Sequence, residues 1–162
     1  MPTQYFRRIW YSDESCFRLH DIISKHDHGY WSKNRFKKMY IPVRQKSVNV
    51  LAAINGEGSV LFEIDIGKLN SKNYKEILKR QFPLMKLDHF KFQQDGGSIH
   101  CSKKVVSFLE KSCKGRWIGL KSAKMIWAAH SPDLSPLDFY FLSEVKRRIA
   151  KKKPKTMKQF LN

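Results

Sequence analysis

The chain predicts an α/β fold in which a mixed sheet is flanked by helices, and three observations carry that prediction. Strand-like apolar stretches come early, at residues 8–14, 46–54 and 60–66. Helical patterns with their own start signals follow, near Asn70, Ser102 and Ser135. A further strand, residues 90–95, falls between the first two helices, so strands and helices alternate in the second half.

Taken in order, residues 8–14 (RIWYSDE) read as a short strand ending in acids, and residues 16–19 (CFRL) as a second strand after a tight turn. Residues 20–39 are polar, aromatic and irregular, which reads as a long loop or hairpin around Gly29. The run KSVNVLAAI at residues 46–54 is a strongly apolar strand, stopped by the hairpin-type turn Asn55-Gly56-Glu57-Gly58, and residues 60–66 return as its partner. Asn70 can cap a helix that carries Tyr74, Ile77, Leu78 and Phe82 on one face and ends at Pro83. Residues 90–95 (FKFQQD) form a strand that again ends in an acid. After Gly96 and Gly97, a helix starts near Ser102 with Val105, Phe108 and Leu109 facing inward. The last long helix has Ser135 as its cap and Pro136 at its first position, and runs through Ile149. Three antiparallel strands, a helix, a strand and then helices is the order of a ribonuclease H-like fold. The sequence has no internal repeat, and its one biased segment is the basic tail over residues 146–158.

Size and composition bound the function. At 162 residues and 41% apolar content, residues 1–162 read as a single domain with a sizeable core. There is no apolar run of about 18 residues and no charged-then-apolar leader, so the expectation is a soluble, intracellular protein without a membrane partner. Cys16, Cys101 and Cys113 are odd in number and lack a CxxC pair, which argues against a disulfide framework. A zinc site from His100, Cys101 and Cys113 is set aside because its spacing fits no common site. The charge is more telling: 32 Lys and Arg against 14 Asp and Glu leave a net +18. So large a charge on so small a domain repels itself and favours a polyanionic partner, with nucleic acid ahead of an anionic membrane surface.

Three acids then stand out. Asp13 follows Ile9 and Tyr11 on one strand face by period-two alternation, where the strand is expected to end. Asp95 also ends a strand, beside two glycines that leave room for a ligand. Asp138 falls at the third position of the last helix, four, seven and eleven residues before Leu142, Val145 and Ile149, and so on the core-facing stripe. Taken singly, Asp13 and Asp95 read as turn acids and Asp138 as a capping-box acid. If the helix packs beside the two strand ends, three like charges converge. A divalent cation is the economical way to hold them, and an all-oxygen set suits Mg²⁺ or Mn²⁺.

The residues around these acids carry a resemblance. Tyr11-Ser-Asp-Glu-Ser-Cys-Phe17, Phe92-Gln-Gln-Asp-Gly-Gly-Ser-Ile-His100 and His130-Ser-Pro-Asp-Leu-Ser-Pro-Leu-Asp-Phe-Tyr-Phe141 resemble the three catalytic blocks of mariner-type DNA transposases of the Tc/mariner superfamily. The Val48-Asn49-Val50 strand and Arg116-Trp117-Ile118-Gly119 fit as landmarks between the blocks, and the resemblance runs from about Phe6 to at least Lys153. It implies a ribonuclease H-like catalytic domain of the D-D-D type, in which Asp13, Asp95 and Asp138 bind two Mg²⁺ or Mn²⁺ ions. One metal activates a water or a DNA 3′-hydroxyl for attack on a phosphodiester, and the other stabilises the leaving oxygen. It also implies DNA as substrate, a homodimer in a full-length context and a nuclear location. The run from Lys146 to Lys155 reads as an import signal or as a DNA-facing helix end.

Neighbours and departures refine this. Glu14 points to the opposite strand face from Asp13 and reads as a structural or surface residue, and Asp133 as stabilising its turn. His100 matches the histidine of the second block and reads as packed or hydrogen-bonded, with proximity to substrate phosphate as the alternative. Gly97 and Ser98 stand where the resembled family has a small residue and a proline. Ala128 replaces a proline, Ser143 a tryptophan and Leu51 another aromatic. These point to an aged copy with weakened activity. The chain begins almost at the first catalytic strand, so the family's helix-turn-helix DNA-recognition region is expected to be missing, and the C-terminus incomplete. Two readings follow: a metal-dependent strand-cleavage and transfer domain, or an inactive or co-opted relic that binds nucleic acid through charge.

Overall fold

The computed structural model describes residues 2–18, 47–65, 68–128, 131–152, 154 and 156–161. The loop expected over residues 20–39, the end of the 16–19 strand, and Lys46, Ile66 and His130 lie outside the described residues.

A five-stranded mixed sheet in the order β3-β2-β1-β4-β5 organises the chain. Strands β1 (Ile9–Arg18), β2 (Ser47–Ile54) and β3 (Val60–Asp65) are antiparallel neighbours, while β4 (Lys91–Gln93) and β5 (Trp117–Ile118) run parallel to β1. Alternation along β1 sorts side chains onto two layers. Trp10 joins Leu51, Phe92, Trp117 and the inward faces of α2 (Ser71–Gln81) and α3 (Lys103–Cys113). Ile9, Tyr11 and Phe17 join Ile118, Leu137 and Leu142 on the other face, under α4 (Leu142–Lys152). The short helices α1 (Pro2–Arg7) and α5 (Met157–Leu161) complete the chain.

Local signals explain most boundaries. Asn70 caps α2 through a reciprocal box with Asn73, its side-chain oxygen accepting from Lys72 N at 2.9 Å and Asn73 N at 3.1 Å. Tyr74, Ile77 and Leu78 are buried as their spacing requires, and Phe82 closes the helix before a 3-10 turn through Met85. In the β2–β3 turn, Asn55 Oδ1 accepts from Glu57 N and Ser59 N, each at 3.0 Å, and Gly58 takes the positive φ of 85° that a β-carbon would resist. In α3, Val105 and Leu109 are buried, and Phe108 stacks on Phe82.

Four expectations are corrected. Residues 8–14 and 16–19 are not two strands, because β1 runs unbroken through ten residues and its pairing with β2 is continuous from Tyr11↔Ile54 to Arg18↔Ser47. Asp13 is therefore mid-strand; what ends beside it is β4, whose last partner on β1 is Tyr11. The final helix opens with a π turn, Leu137–Phe141, closed by Leu142 N–H onto Leu137 O, and α4 continues to Lys152 rather than stopping at Ile149. Its start is held by the Ser135 carbonyl, which accepts from Asp138 N at 3.0 Å and Phe139 N at 3.2 Å, while the Ser135 hydroxyl makes no capping bond. Helix α1 and strand β5 carry too few residues to show a period and were not expected.

Candidate active site

Because β1 outruns β4, a gap opens beyond the C-terminal end of β4, with β1 as one wall. Crevices outside strand C-termini are where open α/β sheets hold ligands. Here the gap is a cavity of about 380 Å³, and Asp13, Asp95 and Asp138 all line it. Asp13 comes from mid-β1, on the α4 side of the sheet. Asp95 follows β4 by two residues, and Asp138 sits in the π turn. Sequence periodicity placed Asp138 on the buried stripe, but the side chain is exposed to the cavity and its neighbour Leu137 is fully buried. The i→i+5 bond is the cause, since it offsets the helix from its 3.6-residue phase at this turn.

Burial first, and then the negative charges of Asp138 and Glu14, push the Asp13 carboxyl up to about 7. Asp95 moves the other way: its hydrogen bond with His100 outweighs burial and lowers its pKa. Asp95 Oδ1 also accepts from Gly97 N at 3.0 Å. His100 is nearly inaccessible. Burial alone would lower its pKa, yet contacts with Asp95 and Glu14 raise it to about 9. Its Nδ1 meets Asp95 Oδ1, and its Nε2 lies 3.1 Å from Glu14 Oε2, at ion-pair distance but without hydrogen-bond alignment. The sequence alone reads Glu14 as a structural or surface residue. Strand parity did put it opposite Asp13, but the partner on that face becomes visible only in three dimensions. Asp133 is exposed on the turn Pro132–Leu134 and does not line the cavity.

The donor chemistry fits a hard divalent cation. Three carboxylates share one cavity, and Gln93 Oε1 and Ser135 Oγ, from two further lining residues, are buried without a partner among the described residues. The three carboxylates are not drawn tightly around one point, for no group of three Asp, Glu, His or Cys side chains among the described residues is close enough to enclose an ion. Asp95 is held toward His100 instead. The cysteines are free thiols, Cys113 buried and raised to about 12 chiefly by that burial, and none lines the cavity.

Comparison with known proteins adds to this geometry. The family model described as DDE superfamily endonuclease matches residues 8–161. The fold resembles a crystal structure of the Mos1 strand transfer complex, with a TM-score of 0.69 and 19% identity over 96% of this chain and 45% of that one. It also resembles the Mos1 transposase paired-end complex with the left transposon end, with a TM-score of 0.67 and 19% identity over 99% of this chain and 48% of that one. A third likeness is to the Mos1 transposase catalytic domain with raltegravir and Mg, with a TM-score of 0.63 and 19% identity over 99% of this chain and 71% of that one. The chain thus spans less than half the length of the first two. No curated protein matches it. The mixed sheet with helices on both faces is the ribonuclease H-like fold that the element order predicts.

Proposed function

The chain belongs to the DDE superfamily endonuclease family, and from that premise we propose that it is the catalytic domain of a mariner-type transposase that cuts and rejoins DNA phosphodiesters. The convergence of Asp13, Asp95 and Asp138 on one cavity at the open end of the sheet carries this reading. We take Asp13, Asp95 and Asp138 to hold two Mg²⁺ or Mn²⁺ ions. When bound, the ions would make a water or a DNA 3′-hydroxyl nucleophilic and offset charge on the leaving oxygen.

The chain's own residues do the rest. Asp13 is fixed in the continuous β1–β2 ladder and Asp138 in a turn anchored by buried Leu137, so two of the donors stand on rigid elements. The unpartnered oxygens of Gln93 and Ser135 supply neutral acceptors at the cavity wall, where a water or a sugar hydroxyl can donate to them. Beyond the cavity, the excess of Lys and Arg attracts the phosphate backbone without reading sequence. Two copies acting together follow the paired-end arrangement named for the Mos1 neighbour. A nuclear location is proposed from the basic run over residues 146–155 and is checked by imaging a fluorescent fusion with and without it.

A second reading, a charge-driven nucleic-acid-binding relic, draws on the orientation of Asp95 toward His100 and on the loose spacing of the carboxylates. Nicking of supercoiled plasmid under a Mn²⁺ titration separates the two. The enzyme should nick only with metal, and Asp95→Asn should remove nicking while salt-sensitive DNA binding persists. DNA binding without nicking at saturating Mn²⁺ would support the relic and sink the catalytic reading.

A further inference from the structure

Building on Asp95 as a cation-holding carboxylate, we propose that His100, backed by Glu14, is a positioning residue that fixes the Asp95 carboxylate for divalent-cation binding. His100 is held at its ring and at its backbone. Its ring lies against the Tyr74 ring at 4.6 Å between centroids, and its carbonyl accepts from Gln94 Nε2 at 3.1 Å. Gln94 Oε1 in turn accepts from the Tyr74 hydroxyl at 2.9 Å, which closes a buried circuit of three residues through the His100 backbone carbonyl. The imidazole is therefore held before any ligand arrives.

Its two nitrogens face two carboxylates, Nδ1 toward Asp95 Oδ1 and Nε2 toward Glu14 Oε2. A histidine kept only to fill the core would need one satisfied nitrogen, not a carboxylate on each side with one of them lining a cavity. Both bonds to Asp95 fall on Oδ1, from His100 and from Gly97 N, so among the described residues Oδ2 has no partner and remains the donor for a cation. A β-carbon at Gly97 would stand 3.2 Å from Asp95 Oδ1 and 3.3 Å from His100 Nδ1, so the pair would have to give by a few tenths of an ångström to admit it. Groups that hydrogen-bond a ligating carboxylate orient it, and losing them typically weakens metal binding by about 10–100-fold.

The test is a calorimetric Mn²⁺ titration of the full chain at fixed pH, with melting temperatures measured with and without Mn²⁺. His100→Phe keeps a ring but no donor and should weaken Mn²⁺ binding by about 10–100-fold, and Gly97→Ala, which crowds the pair, should weaken it by a smaller factor. Glu14→Gln should weaken it less. His100→Asn, which keeps a donor near the Nδ1 position, should recover part of the loss. A packing role would instead lower the metal-free melting temperature and leave affinity unchanged. If His100→Phe does not fold, Gly97→Ala and Glu14→Gln, at partly exposed positions, decide the matter. Wild-type affinity in those two variants overturns the inference, as does His100→Asn binding no better than a folded His100→Phe. A wild type that binds no Mn²⁺ overturns this inference and the metal-site reading together, whereas binding that is insensitive to the variants overturns the inference alone.

Discussion

Asp138 reaches across from the first turn of the C-terminal helix to the Asp13 carboxyl on β1, and its charge, added to burial, lifts Asp13 to about 7. An ordinary aspartate titrates near about 4. Two charged carboxylates side by side repel each other, which a proton or a cation relieves, and stability should report on both.

Metal-free protein should lose stability as pH rises from about 4 to about 7. The folded pKa of Asp13 lies above the unfolded one, so the folded state keeps a proton that the unfolded chain has released. That contribution is complete below about 4 and gone above about 7. His100, raised from 6.5 to about 9, adds a second decline between those values. Asp13→Asn should flatten the lower decline only, and should raise the melting temperature at pH 8 by about 2–4 °C, on the order of 1 kcal/mol. Thermal melts across pH 4–9 decide this; a lower decline that survives Asp13→Asn would exclude Asp13 as its source.

Saturating Mn²⁺ should raise the melting temperature, because a cation binds the assembled carboxylates and not the unfolded chain. At 100 times the dissociation constant the gain is about 2.7 kcal/mol, roughly 5–10 °C for a domain of this size. Asp95→Asn and Asp138→Asn should each lose most of the shift. Equal shifts in wild type and both variants would place the bound metal elsewhere.

DNA binding should weaken steeply with salt, by a slope of about 0.9 per neutralised phosphate on logarithmic axes. Lys151 and Lys152 are exposed at the end of α4. Reversing both to Glu should lower affinity and reduce the slope by about 2 or more. Fluorescence anisotropy at several salt concentrations measures both, and an unchanged slope would remove this helix end from the interface.

Tyr74→Phe should cost about 1–3 kcal/mol, since it leaves the buried Gln94 Oε1 without its donor while keeping the ring that packs on His100. Urea denaturation should show a lower midpoint at unchanged slope. A neutral result would mean that water reaches Gln94.

What was legible in the sequence was local. Alternation in β1 assigned Ile9, Tyr11 and Asp13 to one face and Glu14 to the other. Asn70 announced the start of α2, and the three motif blocks singled out the acids that line one cavity. Length and pairing were not legible. The sequence predicts a break between Glu14 and Cys16, where β2 in fact pairs with the strand at eight consecutive positions, and β5 is a strand only because β4 lies beside it. The exposure of Asp138 and the His100 bridge between Asp95 and Glu14 also belong to tertiary structure. The physical reason is the same in each case. Side-chain period and capping act over one or two turns of chain, so a sequence states which way a residue faces on its own element. What it faces depends on packing between elements far apart in the chain, here β1, the loop after β4 and a helix whose π turn shifts its own phase.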